Sequence, residues 1–321
     1  MNIALTYACN QKCPYCFAAD AMSISGRSEI SIRNLKIVTD FLKKSKITEF
    51  RMAGGEPTLH SRFREIYDLV SANSFNITIL SNGIIDEGNV NFLAKKNNLD
   101  GILLNINQPK SYTLKAWKKI ENTLFRLNKK ITLGFRIYEF DFNPRFFFDL
   151  IDKYNLNRFI NWAIACPGLV KDNIYIKLED HKKVIDRMVE FTYESKKRDI
   201  RWYSDSGFIL CAFNKEKLEK LEKNTGFLPT TNCMVGIEIA PDLRVFRCFG
   251  LAAKSNKNLK LTDFKNFQAV EEYFTINSLP FKRIGTFDRC FKCEHLISRR
   301  CGGGCMAHIL KRFPDHKEPI F

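Results

Sequence analysis

Short apolar runs of β-type composition recur through the first half of the chain, at residues 3–7, 47–52, 76–80, 101–106, 131–138 and 158–165. Between them the apolar positions switch to helical spacing. Ile32, Leu35, Val38 and Phe41/Leu42 share one face of a predicted helix. Phe63, Ile66 and Val70 share another, as do Leu114, Trp117, Leu124 and Leu127. Ser31 and Ser61 are suited to cap the first two of these helices. Pro144 opens a further helix that carries Phe147, Leu150, Ile151 and Tyr154. Six strands with helices between them predict βαβ units and a parallel sheet, whose ligands gather at the C-terminal ends of the strands.

After Ala165 the pattern changes. Residues 180–197 form one more amphipathic helix and 215–223 a charged one. Beyond them the chain becomes rich in cysteine, with short β signals at 235–240 and 243–248 around a Pro241-Asp242 turn. The expected organisation is an α/β partial (β/α)6 barrel over residues 1–210, followed by a small Cys-rich α+β domain over 211–321.

Composition narrows the class. The chain has 321 residues, 45% hydrophobic, 28 of them Phe, which is globular composition. No apolar run reaches the ~18 residues of a membrane helix. The opening MNIALTYACNQK lacks the basic start and apolar stretch of a signal peptide, so a cytoplasmic location is expected. In a reducing compartment, eleven Cys read as metal or cluster ligands before disulfides. Lys plus Arg exceed Asp plus Glu by 51 − 35 = 16. That excess is spread as Lys pairs on the polar faces and ends of predicted helices, without a basic tail. It reads as solvated surface more than as a nucleic-acid footprint.

Cys9, Cys13 and Cys16 form the string CNQKCPYC directly after the first strand. Three thiolates on one short loop can hold one cluster. Three protein ligands on a four-iron cluster leave one iron open, which suits a catalytic site rather than a structural one. This string resembles the signature of the radical S-adenosylmethionine (radical SAM) superfamily. Gly54-Gly55-Glu56-Pro57 at the end of the second strand matches that family's GGEP motif, and Ser81-Asn82-Gly83 ends the third strand.

The resemblance covers residues 1 to about 200 and implies a [4Fe–4S] cluster on Cys9, Cys13 and Cys16 with S-adenosylmethionine beside it. It implies that Gly54 and Gly55 allow close backbone approach and that Glu56 accepts from the methionine amino group. Tyr15 would lie by the adenine, and Ser81 and Asn82 by the ribose or methionine end. Arg136 would pair with the methionine carboxylate, and Asn105 or Asn107 would hydrogen-bond the same ligand. The implied activity is reductive cleavage to a 5′-deoxyadenosyl radical that abstracts hydrogen from a substrate. A flavodoxin or ferredoxin-type donor would supply the electron.

A second cysteine group follows. Cys233 and Cys248 bracket the predicted hairpin, and Cys290, Cys293, Cys301 and Cys305 stand in CFKCEHLISRRCGGGC. Spacing alone leaves zinc and iron–sulfur open. Behind a radical SAM barrel the pattern resembles the SPASM or twitch extension, which implies one or two auxiliary [4Fe–4S] clusters. The resemblance assigns Cys233, Cys248 and Cys305 to the first, with Cys211 as candidate fourth ligand. It assigns Cys290, Cys293 and Cys301 to the second, whose remaining position falls to His308, Asp315, His316, water or substrate. Two departures stand out: no Cys follows Cys305, and Leu243 occupies a hairpin position where the family has Gly. Cys166, at the end of the sixth strand, reads as a small buried hydrophobe or a substrate-side group.

The resemblance implies an enzyme that modifies a ribosomally made peptide by crosslinking, epimerisation or oxidation. The chain opens directly on the first strand, so a separate peptide-recognition protein or the basic surface is expected to bind the leader. The alternatives are radical SAM dehydrogenation or rearrangement of a small molecule and, in another class, a non-catalytic zinc protein on nucleic acid.

Overall fold

The apolar runs become strands close to where the pattern puts them: β1 (Asn2–Thr6), β2 (Glu49–Gly54), β3 (Asn76–Ser81), β4 (Leu99–Asn105), β5 (Ile131–Ile137) and β6 (Phe159–Ile164). Each pairs in parallel with the next. A computed structural model of the chain describes residues 1–25, 28–204, 207–226, 231, 233, 236–256 and 258–313. It adds β7 (Arg201–Ser204) outside β6 and an antiparallel hairpin of β8 (Glu238–Ile239) and β9 (Val245–Phe246). The sheet order is β7-β6-β5-β4-β3-β2-β1-β8-β9. The architecture is α/β with a parallel sheet, as expected for a partial barrel. The hairpin of the Cys-rich half continues that sheet, because β8 pairs in parallel with β1.

The crossovers in the barrel half are α1 (Ala19–Ser25), α2 (Ile32–Lys44), α3 (Phe63–Ala72), α4 (Glu87–Leu93), α5 (Leu114–Arg126), α6 (Arg145–Tyr154) and α7 (His181–Lys197). Four more helices follow: α8 (Lys215–Thr225), α9 (Phe267–Ile284), α10 (Glu294–Ile297) and α11 (Met306–Lys311). Strand alternation sorts the two faces of the sheet. On β5, the buried Phe135 stacks on Phe147 of α6 at 4.5 Å and meets Phe191 of α7 edge-on at 5.8 Å. The intervening Thr132, Gly134 and Arg136 point the opposite way. Most of their registered neighbours are small or polar too, Leu103 beside Thr132 excepted: Asn105 and Asn161 flank Gly134, Ala163 stands beside Arg136, and Arg51, between Asn2 and Thr78, continues this face across the sheet. One face is therefore a helix-covered core and the other a polar lumen.

Ser31 caps α2 as predicted, accepting from the Asn34 N–H. Ser61 does not cap α3, which starts from Arg62 without a side-chain cap. The Ser61 hydroxyl and N–H both donate to Glu29 instead, so that oxygen is engaged elsewhere. Leu114 also departs from its predicted inward face and is 83% exposed. The inner face of α5 is Ile120, Thr123 and Leu124, with the Thr123 hydroxyl donating to Gly83 O. The hairpin strands are shorter than the predicted 235–240 and 243–248, and residue 235 lies outside the described residues. Leu243 adopts φ +71°, so the glycine-like turn conformation persists although a leucine occupies it. Contacts fasten the C-terminal half to the barrel: Asn34 Nδ2 donates to Pro241 O at 2.8 Å and Phe267 N to Ser45 Oγ at 2.9 Å. Among the described residues, no helix is long and apolar enough to cross a membrane.

Candidate functional site

The loop after β1 carries Cys9, Cys13 and Cys16, and the end of β2 pins it. Gly55 N donates to Thr6 O at 2.9 Å and Glu56 N to Ala8 O at 2.8 Å. Gly54 has φ +132°, and a Cβ there would sit 2.1 Å from Thr6 O. At Gly55 a Cβ would meet Ala8 O at 2.4 Å and Cys9 Cβ at 3.0 Å. Only glycine lets the two strand ends close to this spacing.

The three thiols are half-buried and face one another. Burial, then the neighbouring Cys16, pushes Cys13 up to about 12, and burial raises Cys9 and Cys16 as well. Donors are already aimed at the sulfurs. Backbone N–H groups of Gln11 and Asn10 serve Cys9, and those of Ala18 and Ala19 serve Cys16. The Asn82 amide donates to Cys9 Sγ at 3.7 Å. An all-sulfur donor set with N–H groups directed at it fits an iron–sulfur cluster, whose thiolates are stabilised by such bonds. Among the described residues, no three His, Cys, Asp or Glu side chains converge on a point that a single metal ion would fill.

Glu56 is completely buried, and both its oxygens are occupied. Oε1 accepts from Thr58 N and Oγ1 at 3.2 and 2.7 Å; Oε2 accepts from Ser81 Oγ at 2.9 Å and Asn82 N at 2.8 Å. The carboxylate thus brackets the ends of β2 and β3, and a bond to an incoming amino group would displace one of these donors. Ser81, expected by the ribose, also accepts from Gly83 N, so its hydroxyl is engaged on both counts. Asn82 bridges to the cysteine loop through Asn10 Oδ1 at 2.8 Å.

Tyr15 is buried, stacks on Tyr138 at 4.7 Å and donates to Asn107 Oδ1 at 2.9 Å. The two sequence candidates Tyr15 and Asn107 therefore meet. Asn107 N in turn donates to Tyr112 OH. Arg136 faces the lumen from β5 and, with Asn107, Tyr138, Glu139 and Phe142, lines a small hollow of about 30 Å³ at the ends of β4 and β5. Asn105 also faces the lumen. Its Oδ1 is buried without a hydrogen-bond partner and lies 2.6 Å from where a Cβ on Gly134 would stand. Asn161, on the other side of Gly134, has an unpartnered Oδ1 as well. Sequence reading passed over Asn161; the period-two polar positions shared by β4, β5 and β6 were the available signal.

The C-terminal cysteines divide. Cys233, Cys248 and Cys305 come together as the resemblance implied: Cys233 is hydrogen-bonded to Cys305, and Cys248 lies beside both. Cys211 is not with them. It is exposed and accepts from Arg289 Nη2 at 3.6 Å, next to the second group. Cys290 and Cys293 share one turn, and Cys301 N donates to His295 O as the chain folds back. His308 is buried on α11, 6.0 Å ring to ring from His181. Burial and that neighbour push it down to about 3. Asp315 and His316 lie outside the described residues.

A parallel half-barrel whose strand ends present three loop thiols defines a cluster-binding α/β protein. Residues 3–129 match the model of the radical SAM superfamily. The family's [4Fe–4S] cluster and S-adenosylmethionine are the cofactors that the donor set fits. The chain is 28% identical to the GTP 3′,8-cyclase of Synechocystis sp. over 160 residues, 47% of this chain and 49% of that protein. It is 32% identical to the mycofactocin maturase MftC of Mycobacterium tuberculosis over 80 residues, 25% of this chain and 20% of that protein. It thus spans half or less of the length of these curated relatives. Streptococcus suis SuiB bound to S-adenosylmethionine shares the fold with a TM-score of 0.64 at 16% identity, covering 100% of this chain and 75% of SuiB. SuiB bound to its precursor peptide SuiA aligns with a TM-score of 0.61 at 14% identity, covering 100% and 73%.

Proposed function

We propose that the chain is a radical SAM enzyme that modifies a ribosomally made peptide. The observation that carries the chemistry is the closure of the Gly54-Gly55-Glu56 strand end onto the Cys9–Cys16 loop, with donors directed at the sulfurs. When bound, cluster and S-adenosylmethionine together supply a one-electron reductive cleavage that yields a hydrogen-abstracting radical. The chain's own residues do the rest by position. Cys9, Cys13 and Cys16 are the residues that would hold the cluster. Glu56, Ser81 and Asn82 fix the loop that carries them, and the Tyr15–Tyr138 stack offers a flat apolar wall for a base. Asn105 and Asn161 present unpartnered acceptors to whatever N–H or O–H enters the lumen, while Arg136 brings positive charge to its rim.

Two features support the peptide reading: the match to a mycofactocin maturase, and a fold shared over the whole chain with a protein solved on its precursor peptide. A second reading, a nucleotide or other small molecule as substrate, is favoured by the longer match to a GTP cyclase. A flavodoxin or ferredoxin-type donor, and a separate recognition protein for a peptide leader, complete the proposal, with the cytoplasm as its setting. Anaerobic reconstitution with iron, sulfide, S-adenosylmethionine and dithionite is expected to release 5′-deoxyadenosine. The Cys9→Ala/Cys13→Ala/Cys16→Ala variant should release none. Absence of 5′-deoxyadenosine from the wild type under every substrate condition would refute the chemistry. A mass change on a peptide encoded beside the gene would select the peptide; turnover of nucleotides alone would select the small molecule.

A further inference from the structure

We infer that Cys166, at the end of barrel strand β6, is the fourth protein ligand of the auxiliary iron–sulfur site formed by Cys233, Cys248 and Cys305. The inference rests on the radical SAM reading with an auxiliary cluster. Four segments distant in sequence bring one sulfur each to a single place. Cys166 is hydrogen-bonded to Cys305, and Cys305 to Cys233. Gly250 closes the group from another side: a Cβ there would stand 3.5 Å from Cys166 Sγ and 3.8 Å from Cys248 Sγ. A Cβ at 250 would be in van der Waals contact with both sulfurs, so the two lie on one side of this turn.

The donor chemistry is uniform. All four groups are thiols, and backbone N–H groups of Met306, Gly250 and Ala307 donate to Cys233, Cys248 and Cys305. The same provision of N–H donors marks the Cys9–Cys16 loop, and it is what cluster sulfurs require. Lys282 lies close enough to Cys233 for its charge to favour the thiolate. Each thiol releases its proton to solvent as the sulfur binds iron.

Cys166 is also held where a ligand must be. Asn173 Nδ2 donates to Cys166 O at 2.9 Å, and Asn173 Oδ1 accepts from Gly168 N at 2.8 Å. Asp20, 1% exposed, accepts from the N–H groups of Leu169, Val170 and Lys171 at 2.8, 3.0 and 2.6 Å. The same segment reaches the first cysteine loop: Asn173 Nδ2 donates to Tyr15 O and Ile174 N to Pro14 O. A ligand at 166 therefore ties the auxiliary site to the barrel itself, and the strap that carries it rests on the loop of the first cluster. Cys211 has no such placement, being exposed beside Arg289.

The test uses the full chain carrying Cys9→Ala/Cys13→Ala/Cys16→Ala, so that only C-terminal clusters load. After anaerobic reconstitution with ferrous iron and sulfide, iron and sulfide per chain and the electron paramagnetic resonance of the dithionite-reduced protein are measured. Adding Cys166→Ala is expected to remove about four irons per chain, or to leave a three-iron signal. Adding the near-isosteric Cys166→Ser should retain the fold and shift the resonance, and Cys211→Ala should change nothing. Should Cys166→Ala lose its circular dichroism, Cys166→Ser decides. Parental iron and an unchanged spectrum in Cys166→Ser, or the loss appearing in Cys211→Ala, overturns the assignment while the auxiliary cluster stands. A parent that takes up no iron, or only zinc, overturns the auxiliary cluster as well.

Discussion

Glu238 shows how far a single buried group departs from its behaviour in water. It lies on β8 beside β1, fully enclosed, with Asn2 Nδ2 donating to Oε1 at 2.9 Å while Oε2 has no hydrogen-bond partner. Burial outweighs the Asn2 amide and the Arg51 charge and pushes its carboxyl up to about 8. The folded chain then holds a proton that the unfolded chain gives up near the ordinary value of 4.5. Raised folded affinity means that the stabilising contribution is full at low pH and is lost as pH rises from about 4.5 through about 8. Glu238→Gln removes this dependence. In thermal melts the wild type should lose several degrees relative to Glu238→Gln between pH 5 and pH 8.5. Parallel melting curves across that range would contradict the assignment. Cysteine, glycine and Glu56 positions were all legible in the string, but the bracket that Glu56 makes to Ser81 and Asn82 was not. Hydrogen-bond saturation is a property of neighbours that sequence spacing does not contain.

At the scale of elements, the strands of the barrel were readable because each repeats an apolar core face between turn residues. Elements whose local signals conflict were not. β7 has four residues at the end of a charged stretch, and α9 carries Pro280 in its interior. Ser61 stands where a cap belongs, yet Glu29, distant in sequence, takes its hydroxyl. The strap of residues 166–174 has neither helix nor strand, and its order comes from Asp20. In Asp20→Ala three N–H donors lose their shared acceptor; Val170 is 68% exposed and Lys171 is exposed too, so water replaces part of it and the loss is about 1 kcal/mol. Stability should fall by roughly 1 kcal/mol, and hydrogen exchange at residues 169–171 should speed up more than in α2 or α3. Asp20→Asn, which keeps one acceptor oxygen, should lie between. Uniform loss of protection across the molecule would argue against a local strap.

For the whole molecule, the hairpin β8–β9 decides how barrel and Cys-rich half relate. It completes the sheet at the β1 edge, and Asn34, Ser45 and Asn2 each bond across to the C-terminal half. Two self-sufficient units with a linker, which the composition shift suggests, would lack that shared edge. A chain ending after Ser204 exposes the edge of β1, a ready template for intermolecular pairing. It should elute as aggregate in size-exclusion chromatography. A monodisperse fragment with native circular dichroism would show that the barrel is complete without the hairpin.

The sequence by itself determined the strands of the half-barrel and the loop of Cys9, Cys13 and Cys16, because strand period and ligand spacing are local. Tertiary structure alone decided that Cys166 joins the thiols of Cys233, Cys248 and Cys305. Cys166 lies on the strap after β6, Cys233 and Cys248 on either side of the hairpin and Cys305 at the start of α11, and the packing of these segments brings the sulfurs together. Cross-strand placement was likewise decided there: Asn105 and Asn161 come to flank Gly134 through strand register, which long-range pairing sets.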